Sequence, residues 1–88
     1  MTAKQILRAF VSYAQDPITR VNYLKVAELG SGIIVTFWWV SFCNMSQVAG
    51  FCKKHNLLFH IQSSMVEKPK SKVAMPAVEI VIYPCQLS

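Results

Sequence analysis

The longest apolar run in the sequence spans Ile33–Phe42 and follows a Gly30-Ser31-Gly32 turn. Its ten residues are too few to cross a bilayer as a helix, which needs about 20. β-Branched and aromatic side chains fill the run, and both types favour strands. The run therefore predicts a buried strand, and the turn predicts a hairpin with a preceding strand over residues 21–29.

The segment before this turn admits two structures. Asp16 at the N-cap, Pro17 at the first helical position and Gly30 beyond the end would frame a helix over residues 18–29. The apolar residues of the segment do not repeat every 3.6 positions, however, and a strong strand follows the turn at once. We therefore predict a strand over residues 21–29, with the helix as the alternative.

The N-terminal residues predict an amphipathic helix. Thr2 and Gln5 match a capping box, in which two side chains satisfy free backbone N–H groups at the helix start. Apolar residues then recur at helical spacing for about four turns, as far as Asp16, because the residue before a proline disfavours the α conformation. No uninterrupted apolar stretch lies in this region, so no signal peptide is expected.

The second half of the chain predicts one helix and two strands. The helix covers Gln47–His55 and has Asn44 or Ser46 at its start. Alternating apolar residues predict strands over Leu57–Ser63 and Ala77–Tyr83. The proline- and lysine-containing stretch between these strands is expected to be a solvated loop, over residues 67–76.

The resulting element order is α-β-β-α-β-β within a single α+β domain, residues 1–88. Two αββ units predict a two-layer sandwich, with a four-stranded antiparallel sheet and both helices on one face. Moving the last strand to the front would give the order β-α-β-β-α-β, so the fold is compatible with a permuted ferredoxin-like topology. This relation is topological and does not indicate a function.

The composition points to a binding partner. Hydrophobic residues make up 53% of the chain and charged residues only 15%, against a usual charged share of about 25%. We expect part of the apolar surface to be covered by a second copy, as a homodimer formed through the sheet face or an exposed strand edge. The net charge of +5 favours an anionic partner, nucleic acid first, although such a charge also serves solubility.

The cysteines indicate a reducing compartment. Cys43, Cys52 and Cys85 form no CxxC pair and no signal peptide is expected, so we predict free thiols and a cytoplasmic protein. The short apolar run predicts that the protein has no membrane span. Zinc held by cysteines with His55 and His60 is not expected, because their spacing matches no usual zinc pattern. The few carboxylates are scattered and no glycine loop joins a strand to a helix, so we predict no enzyme and no cofactor.

Strand alternation places aromatic and polar side chains together on the sheet face away from the helices. Aromatic rings beside cations can stack unpaired bases and contact phosphates. Val40 and Val81 on the same face favour packing against another subunit, or against the chain's own tail, instead. The inferred outward set is Tyr23, Lys25, Thr36, Trp38, His60, Gln62, Glu79 and Tyr83, while Ile33, Val35, Phe37 and Trp39 are expected to enter the core.

Two lysine groups could neutralise phosphates: Lys53 with Lys54 at a helix end, and Lys68, Lys70 and Lys72 in the connector. The same positions suit a cation-capped helix terminus and a solvated loop. Neither group contains arginine, the residue best suited to bidentate recognition of bases, so base-specific binding is not expected.

These patterns together predict a small non-catalytic, self-associating binding module with an anionic partner, nucleic acid being the first candidate. The alternative is a protein–protein adaptor or oligomeric scaffold component that binds no nucleic acid. The residues expected to contact the partner are Lys53, Lys54, Lys68, Lys70, Lys72, Tyr23, Lys25, Trp38, His60 and Tyr83.

Overall fold

A computed structural model of the chain describes residues 1–67, 70 and 73–85. Its elements are α1 (Ala3–Gln15), β1 (Lys25–Leu29), β2 (Gly32–Phe37), α2 (Phe42–His55), β3 (Leu57–Glu67) and β4 (Ala74–Pro84). The predicted αββαββ order and the α+β class are confirmed. Neither of these helices is long and apolar enough to cross a membrane.

The four strands form one antiparallel sheet in the order β1-β2-β4-β3. β4 therefore lies between β2 and β3, which run parallel to each other and are connected through α2. This split β-α-β arrangement is the one that a permuted ferredoxin-like order requires. The two edge strands of the sheet are β1 and β3.

Both helices pack on the same face of the sheet. Ile6 and Phe10 of α1 and Val48 and Phe51 of α2 are fully buried. They meet the inward side chains of the two central strands: Ile33, Val35, Phe37, Ile80 and Ile82. Burial of such side chains stabilises a fold by about 1.5–3 kcal/mol each, so this layer is its main support. Within the described residues, no helix covers the opposite face.

The first helix begins and ends as predicted. Thr2 Oγ1 accepts a hydrogen bond from Gln5 N at 3.2 Å, and Gln5 Oε1 accepts one from Thr2 N at 2.9 Å. These two bonds complete the capping box. The helix ends at Gln15 because Asp16 adopts an extended backbone ahead of Pro17.

The predicted strand over residues 21–29 is too long, and the helical alternative is wrong. β1 begins only at Lys25, since residues 16–24 turn back over the end of α1. Val21 N donates to Ala14 O at 3.2 Å and so satisfies a carbonyl that the last helical turn leaves free. This part of the backbone therefore completes α1 before the sheet begins.

The apolar run Ile33–Phe42 is divided between a strand and a helix, so the prediction of one continuous strand is wrong. β2 ends at Phe37, and α2 begins at Phe42 instead of Gln47. The N-cap is Ser41, whose Oγ accepts from Asn44 N at 3.0 Å. A bend separates the strand from this cap and contains both tryptophans of the protein.

The last two strands extend farther than predicted. They pair without interruption from Leu57 opposite Pro84 to Glu67 opposite Ala74. Both ends of the predicted loop, at residues 67 and 74–76, therefore belong to strands. β2 reaches only as far as Val78 of β4. Beyond that point β3 and β4 pair only with each other in the described part of the chain, as a two-stranded arm (residues 64–67 and 74–77).

Candidate functional site

The structure separates the residues that were predicted to share the open sheet face. Lys25, His60 and Tyr83 lie on that face, but Tyr23 does not. The Tyr23 ring packs against the core residue Phe10, with ring centroids 5.7 Å apart. Tyr23 precedes β1, so the alternation of that strand does not apply to it. The predicted platform is therefore wrong at Tyr23.

A polar row crosses the open face along one line of the register, formed by Lys25, Thr36, Glu79 and Gln62. Gln62 Nε2 donates to Glu79 Oε1 at 2.9 Å, and Gln62 Oε1 lies 3.2 Å from His60 Nε2. The His60 ring in turn lies 5.8 Å from the Tyr83 ring. Because the Glu79 carboxylate is part of this network, the face is poorly suited to phosphates.

A cleft of about 480 Å³ opens between the segment before β1, the bend after β2 and the first turn of α2. This volume lies within the range of about 300–1,000 Å³ that is usual for small-ligand sites. The lining residues are Arg20, Asn22, Tyr23, Leu24, Trp38, Trp39, Ser41, Cys43 and Asn44. Trp38 and Tyr23, both predicted contact residues, line this cleft.

The cleft has one strongly exposed aromatic ring in its lining, and a second exposed aromatic residue lies close to the lining in sequence. Trp39, which lines it, is 72% exposed, and Phe42, next to the lining residue Ser41, is 89% exposed. The prediction that Trp39 enters the core is wrong, because β2 ends at Phe37 and its alternation stops there. A large exposed apolar side chain in a cleft of this volume is typical of a contact site, so the cleft is a candidate binding site.

The charge of the cleft is positive. Arg20 is the one charged residue among those described as lining it. The cleft also adjoins the N-terminal end of α2, where the helix dipole is positive. Both contributions favour an anionic group beside the aromatic rings.

The predicted lysine groups lie away from this cleft. Lys53 and Lys54 are exposed in the last turn of α2, about 15–20 Å along the helix from its first turn. Lys70 is exposed in a turn between the two strands of the arm. Lys68 and Lys72 fall outside the described residues. The lysines and the aromatic cleft therefore do not form one compact site.

The cysteines differ in exposure: Cys43 is exposed, Cys85 is half-buried and Cys52 is buried, all as free thiols. Burial raises the pKa of the Cys52 thiol to about 12, so it remains protonated near neutral pH. The His55 ring packs against Phe51, at 4.7 Å between centroids. Among the described residues, no group of His, Cys, Asp and Glu side chains could hold a metal ion.

Arg20, Asn22, Trp39 and Asn44 line the cleft and were missed from the sequence. A signal for the early start of α2 was present, because Ser41, two residues after Trp39, is a favoured N-cap residue. Comparison with protein-family models, with curated proteins and with solved structures finds no match to this chain. The chemistry of the cleft itself is therefore the basis for a function.

Proposed function

We propose that the protein is a non-catalytic, self-associating binding module that takes single-stranded nucleic acid into the cleft. The observation that supports this most is the strongly exposed Trp39 ring in a cleft that Arg20 also lines. Unpaired bases stack on such rings at about 1–3 kcal/mol per base, and a guanidinium binds phosphate. This combination fits a single strand better than a duplex, whose bases are already stacked.

The polar lining supports binding with little base preference. The Ser41 hydroxyl already accepts from Asn44 N as the helix cap, and the Asn44 side chain already contacts the backbone of Asn22. Few side-chain groups are therefore free to read the edges of bases. Stacking accepts every base, so we expect affinity to depend on single-strandedness more than on sequence.

The overall charge supports a weak attraction beyond the cleft. The chain carries a net charge of +5, and the exposed Lys53 and Lys54 lie on the same helix as part of the cleft. A longer strand could reach these lysines, but a short one would contact mainly Arg20. The free thiols fit a reducing compartment, and we place this activity in the cytoplasm.

The test is a titration with a fluorescein-labelled oligothymidylate at about 50 mM salt, followed by anisotropy and tryptophan fluorescence. We expect saturable binding with quenching of the tryptophan emission. Trp39→Ala should weaken binding by about 5–150-fold, the loss of one stacked base, whereas Trp39→Phe should retain most of the affinity. Absence of binding at this salt, or equal binding by Trp39→Ala, would contradict the proposal.

One observation favours the alternative of a protein–protein adaptor. Ile18, two residues before Arg20, is 84% exposed, and an aliphatic side chain contributes little to base stacking. Exposed aliphatic and aromatic residues together are typical of protein contacts. If the oligonucleotide does not bind, while Ile18→Ser and Trp39→Ala both impair recovery of the same partner protein, the adaptor is the better assignment.

A further inference from the structure

The two edge strands of the sheet differ in how well they are protected against pairing with a strand of another molecule. β1 has only five residues and carries Lys25 and Glu28, so it is short and charged. β3 has eleven residues, LLFHIQSSMVE, without proline, glycine or lysine, and its single charge is the last residue, Glu67. Proteins usually protect a long edge strand with charges, prolines or bulges, because its free N–H and C=O groups pair readily with another strand. β3 has none of these devices before Glu67.

Apolar side chains beside this edge remain exposed. Ile61 pairs with the core residue Ile80 and so faces the helix layer, yet it is 43% exposed. Met65, on the same side of β3, is 61% exposed. Leu57 at the start of the strand is buried, so the helices cover only that end. An added strand would cover Ile61 and Met65.

The residue pattern of β3 is self-complementary about Ile61. An antiparallel copy related by a two-fold axis through Ile61 would place Leu57 opposite Met65 of the second copy, on the helix side. His60 would lie opposite Gln62 of the second copy, on the open side. No residue from Leu57 to Met65 is charged, so the pairing brings no like charges together despite the net charge of +5.

We infer that β3 pairs with β3 of a second copy, so that two four-stranded sheets become one continuous eight-stranded sheet. This inference rests on the self-association in the proposed function and does not depend on nucleic acid. The strand order would be β1-β2-β4-β3 in one copy, continued by β3-β4-β2-β1 in the second copy. β1 of each copy then forms an outer edge, about 34 Å from the other, and each copy keeps its cleft.

The test is the molar mass of the wild type and of Ile61→Lys by light scattering and sedimentation over a concentration series. Wild type should approach twice the chain mass of 9.9 kDa. Ile61→Lys places two ammonium groups against each other at the two-fold axis, and the dissociation constant should rise at least about tenfold. A wild type that stays monomeric at every concentration would overturn the inference.

The matched control is Leu29→Lys, the same type of change at a 49% exposed residue of the other edge strand. It should remain dimeric, and equal dimerisation by both variants would overturn the inference. Circular dichroism checks that both variants fold, and hydrogen exchange should show the β3 amides that point away from β4 protected in the wild type but not in Ile61→Lys. Binding of a short oligonucleotide should be unchanged in Ile61→Lys. The experiment can therefore contradict the β3 dimer without contradicting nucleic-acid binding, and the reverse.

Discussion

The side chain of Asn44 bridges to the backbone of Asn22 through two hydrogen bonds. Asn44 Oδ1 accepts from Asn22 N at 3.4 Å, and Asn44 Nδ2 donates to Asn22 O at 3.5 Å. Both distances are long, so each bond is weak by itself. Together they attach the segment before β1 to the first turn of α2, and these two parts are walls of the cleft.

The Asn44→Asp substitution is expected to weaken anion binding with little effect on the stability of the fold. Asn44 is the third residue of α2, where a carboxylate is favoured by about 0.3–1 kcal/mol by the helix dipole, and the aspartate can still accept from Asn22 N. The aspartate can no longer donate to Asn22 O, and this loss opposes the gain at the helix terminus, so the melting temperature should change little. A negative charge in the cleft should weaken oligothymidylate binding about fivefold or more, for a repulsion of about 1 kcal/mol.

The control for this prediction is Asn44→Ala, which removes both bonds without adding charge. Its stability in urea should fall by about 1 kcal/mol. An Asn44→Asp variant that binds as tightly as wild type would show that the anion does not enter the cleft.

The salt dependence of binding should identify the cation that contacts the strand. Arg20→Gln is expected to reduce the slope of log K against log salt by about 1, because one phosphate contact is lost. Arg8→Gln removes the same charge from an exposed position on α1 and should leave the slope unchanged. If instead the Lys53→Gln/Lys54→Gln double variant lowers the slope and Arg20→Gln does not, the lysine pair is the contact.

The sequence predicts the helix layer and central strands well because their signals are local and consistent. Thr2 and Gln5 cap α1 through residues three apart, and the alternation of Ile80 and Ile82 fixes which face of β4 is buried. The observed order β1-β2-β4-β3 agrees with the permuted ferredoxin-like topology that the αββαββ order allows. These features require no knowledge of where each strand ends.

The cleft could not be predicted because it depends on where β2 ends. Val35 and Phe37 are inward, and continued alternation would carry Trp39 into the core as well. The helix cap, in which Asn44 N donates to Ser41 Oγ, begins α2 at Phe42, so the alternation of β2 does not continue to Trp39. When a strand ends one or two residues earlier than predicted, the side chains beyond its end lie on a different surface. Trp39 and Tyr23 were both misplaced in this way.

Gly32→Ala is expected to destabilise the sheet at the contact between β2 and β4. A Cβ atom on Gly32 would overlap Ile82 O and lie 2.9 Å from Tyr83 Cα, and backbone atoms cannot rotate away as a side chain can. The loss should be about 1–3 kcal/mol, measured as the free energy of unfolding in urea.

Gly50→Ala is the matched control for that substitution. Gly50 lies within α2, where alanine is favoured over glycine by about 1 kcal/mol, and the nearest atom to the new Cβ is the Tyr13 hydroxyl at 3.3 Å. That hydroxyl can shift by a few tenths of an ångström, so stability should stay level or rise. Equal losses in the two variants would contradict the close packing of β2 on β4.

The buried thiol of Cys52 should make the protein less stable in alkali. Burial raises its pKa from 9.0 to about 12, so between these values the folded chain holds a proton that the unfolded chain releases. Stability is therefore unaffected below about pH 9 and falls as the pH rises towards 12. Burial, and to a lesser degree the charge of the Cys52 thiolate, also raises the pKa of Tyr13, which adds to the same loss.

Thiol labelling in native buffer provides a direct check on this burial. At about pH 8, a pKa near 12 reduces the thiolate fraction of Cys52 on the order of 10³-fold relative to the unfolded chain, and burial blocks the reagent as well. Cys43, which is exposed, should react first, and Cys52 only when the protein unfolds in urea. Peptide mass analysis of pulse-labelled samples identifies the reacted residue. Labelling of Cys52 as fast as Cys43 in the folded protein would contradict its place in the core beside Phe51.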